Sequence, residues 1–421
     1  MHSAYFDHNA TTPVSPAVLE AMLPYLSSEY GNASSVHGFG QRARGAMENA
    51  REAVAALIGA HPSEIVFTSG GTESDNAAIF GSVERGLAGH GGPVNAAPIN
   101  GRVAHVITTA IEHPAVLEAC RALERRGVAV TYIPANPDGV VDPENIRRAI
   151  RPETVLISVM HANNELGTLQ PVEEIGRIAK QKGIRLHTDA VQSAGKVALD
   201  VSPLGVDLLS LSAHKLHGPK GVGALFIRKG KPIEPFLLGG HSERGRRAGT
   251  ENVAAIVGFG KAAELARAHL QERAAHIATL RDCLERGLLS RVPEARVNGG
   301  RVPRVPNTSS LQFTGVDSES LVIALDLQGI ACSAGAACSA GAVDPSHVLA
   351  AIGLSEGEAR GTVRLSLGYT NTEEEVALAL EAIPAAIARQ RVSTEDRQRV
   401  AKDDRQRVTH QDRQPSAVIA R

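Results

Sequence analysis

The chain has few of the features that would place it outside the ordinary class of globular proteins. No apolar run approaches the length needed to cross a membrane, and Met1 to Ala4 leads directly into a strand-like stretch with no signal-peptide pattern. Lys plus Arg total 44 against 45 Asp plus Glu, a net charge of −1, so there is no basic field to attract nucleic acid or an anionic membrane. The four cysteines, Cys120, Cys283, Cys332 and Cys338, are too few and too scattered for a disulfide framework, and none forms a CxxC pair. A reducing cytoplasm is the expected location, and any exposed thiol there is a candidate for chemistry.

What is present is a globular composition, 43% hydrophobic over 421 residues, too long for a single core. Short β-branched runs alternate with helical periodicity. The expected strands are Glu64–Thr68, Val103–Thr108, Val128–Ile133, Val155–Met160, Arg185–Thr188, Leu208–Leu211 and Gly223–Ile227. Between two of them, Gln41–Ile58 carries Ala43, Met47, Ala50, Val54 and Leu57 on one helical face. This alternation predicts an α/β fold, a seven-stranded and mainly parallel sheet with helices on both sides, and sites at the carboxyl ends of its strands. Beyond it the chain reads as a long helical stretch, Val253–Leu289, then strands at Ser309–Phe313 and Thr362–Leu367. The expected organisation is a large domain over 15–255 and a smaller α+β domain from 1–14 and 256–388. Gly89–Gly101 reads as a surface insertion, and 389–421 as an eight-residue charged repeat (RQRVSTED, RQRVAKDD, RQRVTHQD) too poor in apolar groups to order itself.

Three segments carry candidate chemistry. In Ser210-Leu-Ser-Ala-His-Lys215-Leu-His-Gly-Pro-Lys-Gly221 a strand ends in a polar cluster. A lone lysine is a solvated charge, but Lys215 precedes a Gly/Pro loop and an apolar strand. Partial desolvation there would favour the neutral amine that forms a Schiff base. In Ile65-Val-Phe-Thr-Ser-Gly70-Gly71-Thr72 a strand runs through a glycine turn into a helix start, with Thr72 able to cap it, a ready phosphate cradle. Asp189 closes a strand where its carboxylate could hold a protonated pyridine nitrogen, although an ordinary helix cap has the same signature. In Val363–Leu367 alternation sends Val363, Leu365 and Leu367 to one face and Arg364 to the other, where its fork could take a carboxylate.

The segments YFDHNATT, FTSGGTES, EHPAV, MHANNELGT, HTDAVQ, SAHKLHGPKGVGAL, RRAGTEN and VRLSLG occur in this order. In that order and over roughly residues 5–385, the chain resembles the pyridoxal-phosphate (PLP)-dependent cysteine desulfurases of the NifS/IscS type, in the class V aminotransferase family. GRRAGTEN and TDAVQ lean toward the NifS, nitrogen-fixation branch. The resemblance implies a fold-type I PLP enzyme working as a homodimer. Lys215 would carry the cofactor as a Schiff base and His113 would stack on its ring. Asp189 and Gln192 would contact the pyridine nitrogen and phenolic oxygen. Gly71, Thr72, Ser212 and His214 would hold the phosphate, with Thr250 reaching in from the other subunit. Asn164 would lie near the substrate and Arg364 would bind its carboxylate.

Cys332 and Cys338 lie in a Gly/Ala/Ser run whose composition predicts a loop. The family commonly reads SSGSACTS here, and this chain keeps Gly335 and Cys338 but has Ala336 for serine, Ser339 for threonine and Cys332 for a small residue. The resemblance, with those two places kept, implies that Cys338 is the sulfur acceptor. Cys332 reads as a resolving thiol or, preferably, a small core residue. The implied activity converts L-cysteine to L-alanine and a Cys338 persulfide, with Lys215 and His113 moving protons. The sulfur would pass to an iron-sulfur scaffold protein, Cys338 transiently touching a nascent cluster, with no resident metal. Another fold-type I activity, such as an aminotransferase or selenocysteine lyase, would share Lys215 and Asp189 but not need Cys338. A non-catalytic scaffold would not need the full cofactor set. A zinc site from His187, His214 and His217 fits no common ligand spacing.

Overall fold

The structure is a computed structural model, and it describes residues 4–88, 104–334 and 346–411, with the backbone alone over 393–411. The insertion at 89–101 and the run containing Cys338 lie outside the described residues. Seven strands form one sheet in the order Ile65–Thr68, Gly223–Ile227, Leu208–Ser212, Arg185–Asp189, Thr154–Ser158, His105–Thr109, Ala129–Ile133. The last five are parallel to one another. Gly223–Ile227 runs antiparallel to both of its neighbours. Each strand agrees with its expected span to within about two residues, because the sheet is covered on both faces and the apolar runs are nearly continuous. Phe67, Leu209, Leu211 and Phe226 enter one core layer, while Val66, Leu208, Leu225 and Ile227 enter the opposite one.

On the first face lie the helices Pro16–Leu26, Gly38–Leu57 and Val253–Ala268. The helix expected over Gln41–Ile58 begins at Gly38, where the His37 ring accepts the Gly40 N–H at 3.3 Å. Gly260 allows Val253–Ala268 to approach it closely, since a Cβ there would lie 2.5 Å from Ala50 Cα. The expected single stretch Val253–Leu289 is therefore corrected to two helices, broken at His269 (φ −111°, ψ 15°), with Leu270–Arg291 following. Ile256, Phe259, Ala263 and Ala266 belong to the large core, whereas Ile277, Leu280, Leu284 and Leu288 belong to a second one. Residues of the large core thus run on as far as Ala266. Continuous helical periodicity hides this change of partner, because it records that a face is apolar and not what covers it.

The second core is built on an antiparallel sheet, Ser333–Ala334, Thr362–Ser366, Thr308–Gln312, Arg296–Asn298. Ala4–Tyr5 pairs in parallel with Ile330–Ala331, so the N-terminal segment joins this smaller unit. The closing helix Glu373–Gln411 buries Val376, Ala379, Ile383 and Ile387 in the same core and then continues through the charged repeats to the next-to-last residue of the third. The expected disordered tail is corrected to that extent. Residues 393–411 contain neither Gly nor Pro and are rich in Arg and Gln, good helix formers that extend a helix already nucleated by packing. No helix among the described residues is long and apolar enough to cross a membrane.

Candidate active site

The parallel register Asp189↔Ser210 brings the ends of Arg185–Asp189 and Leu208–Ser212 to one edge of the large sheet. Gly223 is flanked by Thr68 on one side and Ser212 on the other, so the glycine turn after Thr68 reaches that same edge. Close packing explains the glycines. A Cβ on Gly223 would lie 2.7 Å from Gly70 Cα, and one on Gly71 would lie 2.8 Å from Val191 Cγ2 and 3.8 Å from Ser212 Cβ. The helix Gly71–Ala88 starts here, with Ser74 N–H donating to the Gly70 carbonyl at 3.1 Å. The N–H groups of its first turn precede any intrahelical acceptor and favour an anion beside Ser212. Thr72 is the second helical residue rather than the cap, and the Glu73 carboxylate accepts the Ser69 N–H at 2.8 Å.

Lys215 ends the short turn Ala213–Lys215 that follows its strand. Its Nζ donates to the carbonyl of Ala10 at 2.7 Å and to that of Asn9. Desolvation, followed by the Arg364 charge, lowers the amine to about 8, against the opposing pull of Asp189 and Asp7. A lowered pKa means the free amine predominates above about pH 8. The rate at which the cofactor-free protein takes up PLP should therefore rise through a midpoint near 8, and a midpoint above 10 in stopped-flow uptake would show an unperturbed lysine.

Asp189 is buried and accepts the Val191 N–H at 2.8 Å; burial raises its pKa, and His113 and Lys215 oppose that rise. His113 caps the helix Pro114–Glu124, its Nδ1 accepting the Ala115 N–H at 3.1 Å. Nδ1 is thus occupied, so the neutral ring carries its proton on Nε2. Loss of water in the cleft lowers its pKa, with Asp189 acting the other way. Gln192 is buried; its Nε2 donates to the Asn9 carbonyl at 2.9 Å. The His214 Nδ1 meets Thr11 Oγ1 at 3.1 Å, and its carbonyl accepts from Thr12.

Arg364 faces this cluster from the smaller unit. Its Nη2 donates to Asp7 Oδ1 at 2.8 Å and to Ser333 Oγ at 3.1 Å, and its Nη1 to the Asn164 carbonyl at 3.1 Å. The Asn164 carbonyl also accepts Asn9 Nδ2 at 3.0 Å, so two residues join the guanidinium to the Lys215 amine. The Nε of Arg364 and Oδ1 of Asn164 are buried without a hydrogen-bond partner. An orphan donor and an orphan acceptor at the junction of two units fit a ligand carrying both a carboxylate and a donor group.

Lys215, Asp189, His113, Gln192, Ser212, Gly71, Asn164 and Arg364 thus converge. Thr250 is exposed and lines a groove with Thr68, Ser69 and Gly221, beside the glycine turn. Cys332 is buried in the second core, and burial pushes its thiol up to about 12, which fits a core residue rather than a reactive one. His187 hydrogen-bonds Ser158 and Ser210, and no group of three or more His, Cys, Asp or Glu among the described residues is placed to hold a metal ion. Asp7, Asn9 and Thr11 have no local signature in the sequence, and only the position of YFDHNATT at the head of the ordered motifs marks them. A near-neutral amine, a carboxylate and an anion cradle at one edge fit a phosphorylated pyridine aldehyde.

Residues 4–378 match the aminotransferase class-V family. The chain is 47% identical over 393 residues to "Cysteine desulfurase IscS" of Methanosarcina thermophila, covering 92% of this chain and 93% of that protein. It is 45% identical over 387 residues to the protein of the same name from Dictyoglomus turgidum, covering 92% and 95%. Among solved structures it is similar to a NifS-like protein with a TM-score of 0.83 at 41% identity, covering 92% of this chain and all of that one.

Proposed function

The chain belongs to the aminotransferase class-V family, and from that membership we propose that it is a PLP-dependent cysteine desulfurase, converting L-cysteine to L-alanine and a Cys338 persulfide. The observation that carries this reading is the junction of the Lys215 amine and the Arg364 guanidinium through Asn9 and Asn164. An amine able to accept a Cα proton and a fork able to bind an α-carboxylate are what an amino-acid substrate requires.

Lys215 would hold the cofactor covalently. The Gly71–Thr72 turn, Ser212 and His214 would hold its phosphate, Asp189 its ring nitrogen, Gln192 its phenolic oxygen, and His113 would pack on its ring. When bound, PLP supplies an electron sink for the charge that develops at the substrate Cα. Arg364 fixes the carboxylate and so aims the Cα–H bond, and the Lys215 Nζ removes the Cα proton. The Cys338 thiolate then attacks the substrate sulfur. The new S–S bond forms as the substrate Cβ–S bond breaks, its electron pair passes to the carbon side, and protonation there gives alanine. The Nε2 proton of His113 is available for these transfers.

Support for a homodimer comes from exposed apolar side chains, Leu23, Leu26, Tyr30, Val36 and Leu238, and from Thr250 facing outward rather than into its own site. An iron-sulfur scaffold protein is the proposed sulfur acceptor and the cytoplasm the proposed location, in line with the scattered cysteines.

Two results test the reading. Purified protein should be yellow and release alanine from L-cysteine; a colourless protein that takes up no added PLP would contradict it. Arg364→Lys should raise KM for cysteine about 10- to 100-fold, the size of a lost charge-assisted hydrogen bond, while the bound cofactor's spectrum stays unchanged. An unchanged KM would remove Arg364 from the substrate site.

A further inference from the structure

Lys196 follows the Asp189 strand within the same polar turn and is only 9% exposed. Its Nζ donates to Gln192 Oε1 at 2.9 Å and to Asn9 Oδ1 at 3.1 Å. Among the described residues it pairs with no carboxylate. The titratable groups that act on it are Lys215 and Arg364, and it acts in turn on His8, His214 and His217; all are bases. A buried amine without an anion is a cost to folding that a leucine or methionine would avoid.

The two acceptors show what the amine does. A side-chain amide can sit either way round, and only its partners decide which end donates. Burial, with the Lys215 and Arg364 charges, lowers the Lys196 amine's pKa, but charged or neutral it has N–H groups enough for both acceptors in reach, so Lys196 fixes the Gln192 oxygen toward itself. The Gln192 nitrogen is then turned to the Asn9 carbonyl, which also accepts the Lys215 amine, and its second N–H stays uncommitted. The same amine orients Asn9, whose Oδ1 also accepts Asn307 Nδ2 at 2.9 Å and whose Nδ2 donates to Thr308 Oγ1 at 2.8 Å and to the Asn164 carbonyl. Reversing either amide would place a donor against the lysine.

We propose that Lys196 is a positioning residue that locks Gln192 with its N–H toward the cofactor's phenolic oxygen and holds the Asn9 carbonyl beneath the Lys215 amine. This rests on the PLP reading above. Its natural readout is the pH at which the bound cofactor's visible band titrates. An N–H donated to the phenolic oxygen favours the deprotonated form, so losing it moves the midpoint up.

The test compares holoenzymes of Lys196→Met, Lys196→Gln, Gln192→Leu and the Lys196→Met/Gln192→Leu double variant. Band titration and the affinity of each cofactor-free form for PLP are measured. Lys196→Met should raise the midpoint by about one unit and weaken PLP about tenfold, the effect of one buried hydrogen bond. Lys196→Gln keeps a donor without a charge and should stay within about twofold of wild type by the same reasoning. The double variant should titrate no higher than Gln192→Leu alone, because both changes remove the same N–H from the phenolic oxygen, while the Asn9 contact is lost only with Lys196. A wild-type midpoint and affinity in Lys196→Met, or additive midpoint shifts in the double variant, would overturn the proposal. If Lys196→Met does not fold, a Lys196→Gln that shifts as far as Gln192→Leu overturns it, since charge rather than donation would then matter. A wild type that binds no PLP would instead overturn the functional reading itself.

Discussion

Lys215→Ala is expected to lower alanine formation from L-cysteine by about 10⁴-fold or more, because one side chain both anchors the cofactor and removes the Cα proton. The fold should survive. Lys215 sits in a short turn at the sheet edge, and its amine donates only to the carbonyls of Asn9 and Ala10, whose segment is held independently. Asn9 N–H donates to Ser366 Oγ at 2.9 Å, Asn9 Nδ2 reaches Thr308, and Thr12 donates to the His214 carbonyl. Circular dichroism should therefore match wild type while the visible band changes and PLP becomes removable by gel filtration. A desolvated lysine with a pKa near 8 is also the group whose loss added amines could partly replace, more so at higher pH, where those amines are unprotonated. Turnover within about tenfold of wild type would remove Lys215 from the chemistry, since a single lost hydrogen bond accounts for no more than that.

Cys338→Ala is expected to give the opposite pattern: a yellow protein with unchanged cofactor affinity and a rate of sulfur release at least about 10³-fold lower, roughly 4 kcal/mol of lost transition-state stabilisation. Every group assigned to the cofactor and to the substrate carboxylate lies elsewhere in the chain, so binding and covalent capture separate cleanly in this variant. Cys332→Ala is the control. Its thiol is buried in the second core and held protonated by burial, so persulfide formation should continue without it. Sulfur retained on Cys332 in the Cys338→Ala protein would reverse the two roles.

The parts of the fold legible in the sequence are those where local pattern and burial coincide. The seven strands were readable because runs such as Leu208–Ser212 and Gly223–Ile227 are buried on both faces. Arg364 was readable because Val363 and Leu365 alternate with it into a core. The break at His269 was not, since Val253–Ala268 and Leu270–Arg291 both carry apolar residues suited to a helix and only their partners differ. Lys215, Asp189 and the glycine turn announced themselves at strand ends. The side chains that tie them together did not. Asn9 meets Lys215 across 206 residues and Thr308 across 299, and nothing in a local window records a contact of that span. The same holds for Asp7 on Arg364 and for Lys196, whose charge looks like any solvated lysine until its burial is known.

The central claim is that sulfur leaves cysteine for Cys338 with alanine as the other product. One turnover decides it. Holoenzyme is mixed with one equivalent of L-cysteine without reductant, quenched under acid, and digested for mass spectrometry while free alanine is counted. The expected result is alanine in step with one added sulfur, placed on Cys338 by fragmentation of the peptide it shares with Cys332, with none on Cys332 or on the peptides containing Cys120 or Cys283. Alanine without sulfur on Cys338, or pyruvate and free sulfide in place of alanine, would contradict it.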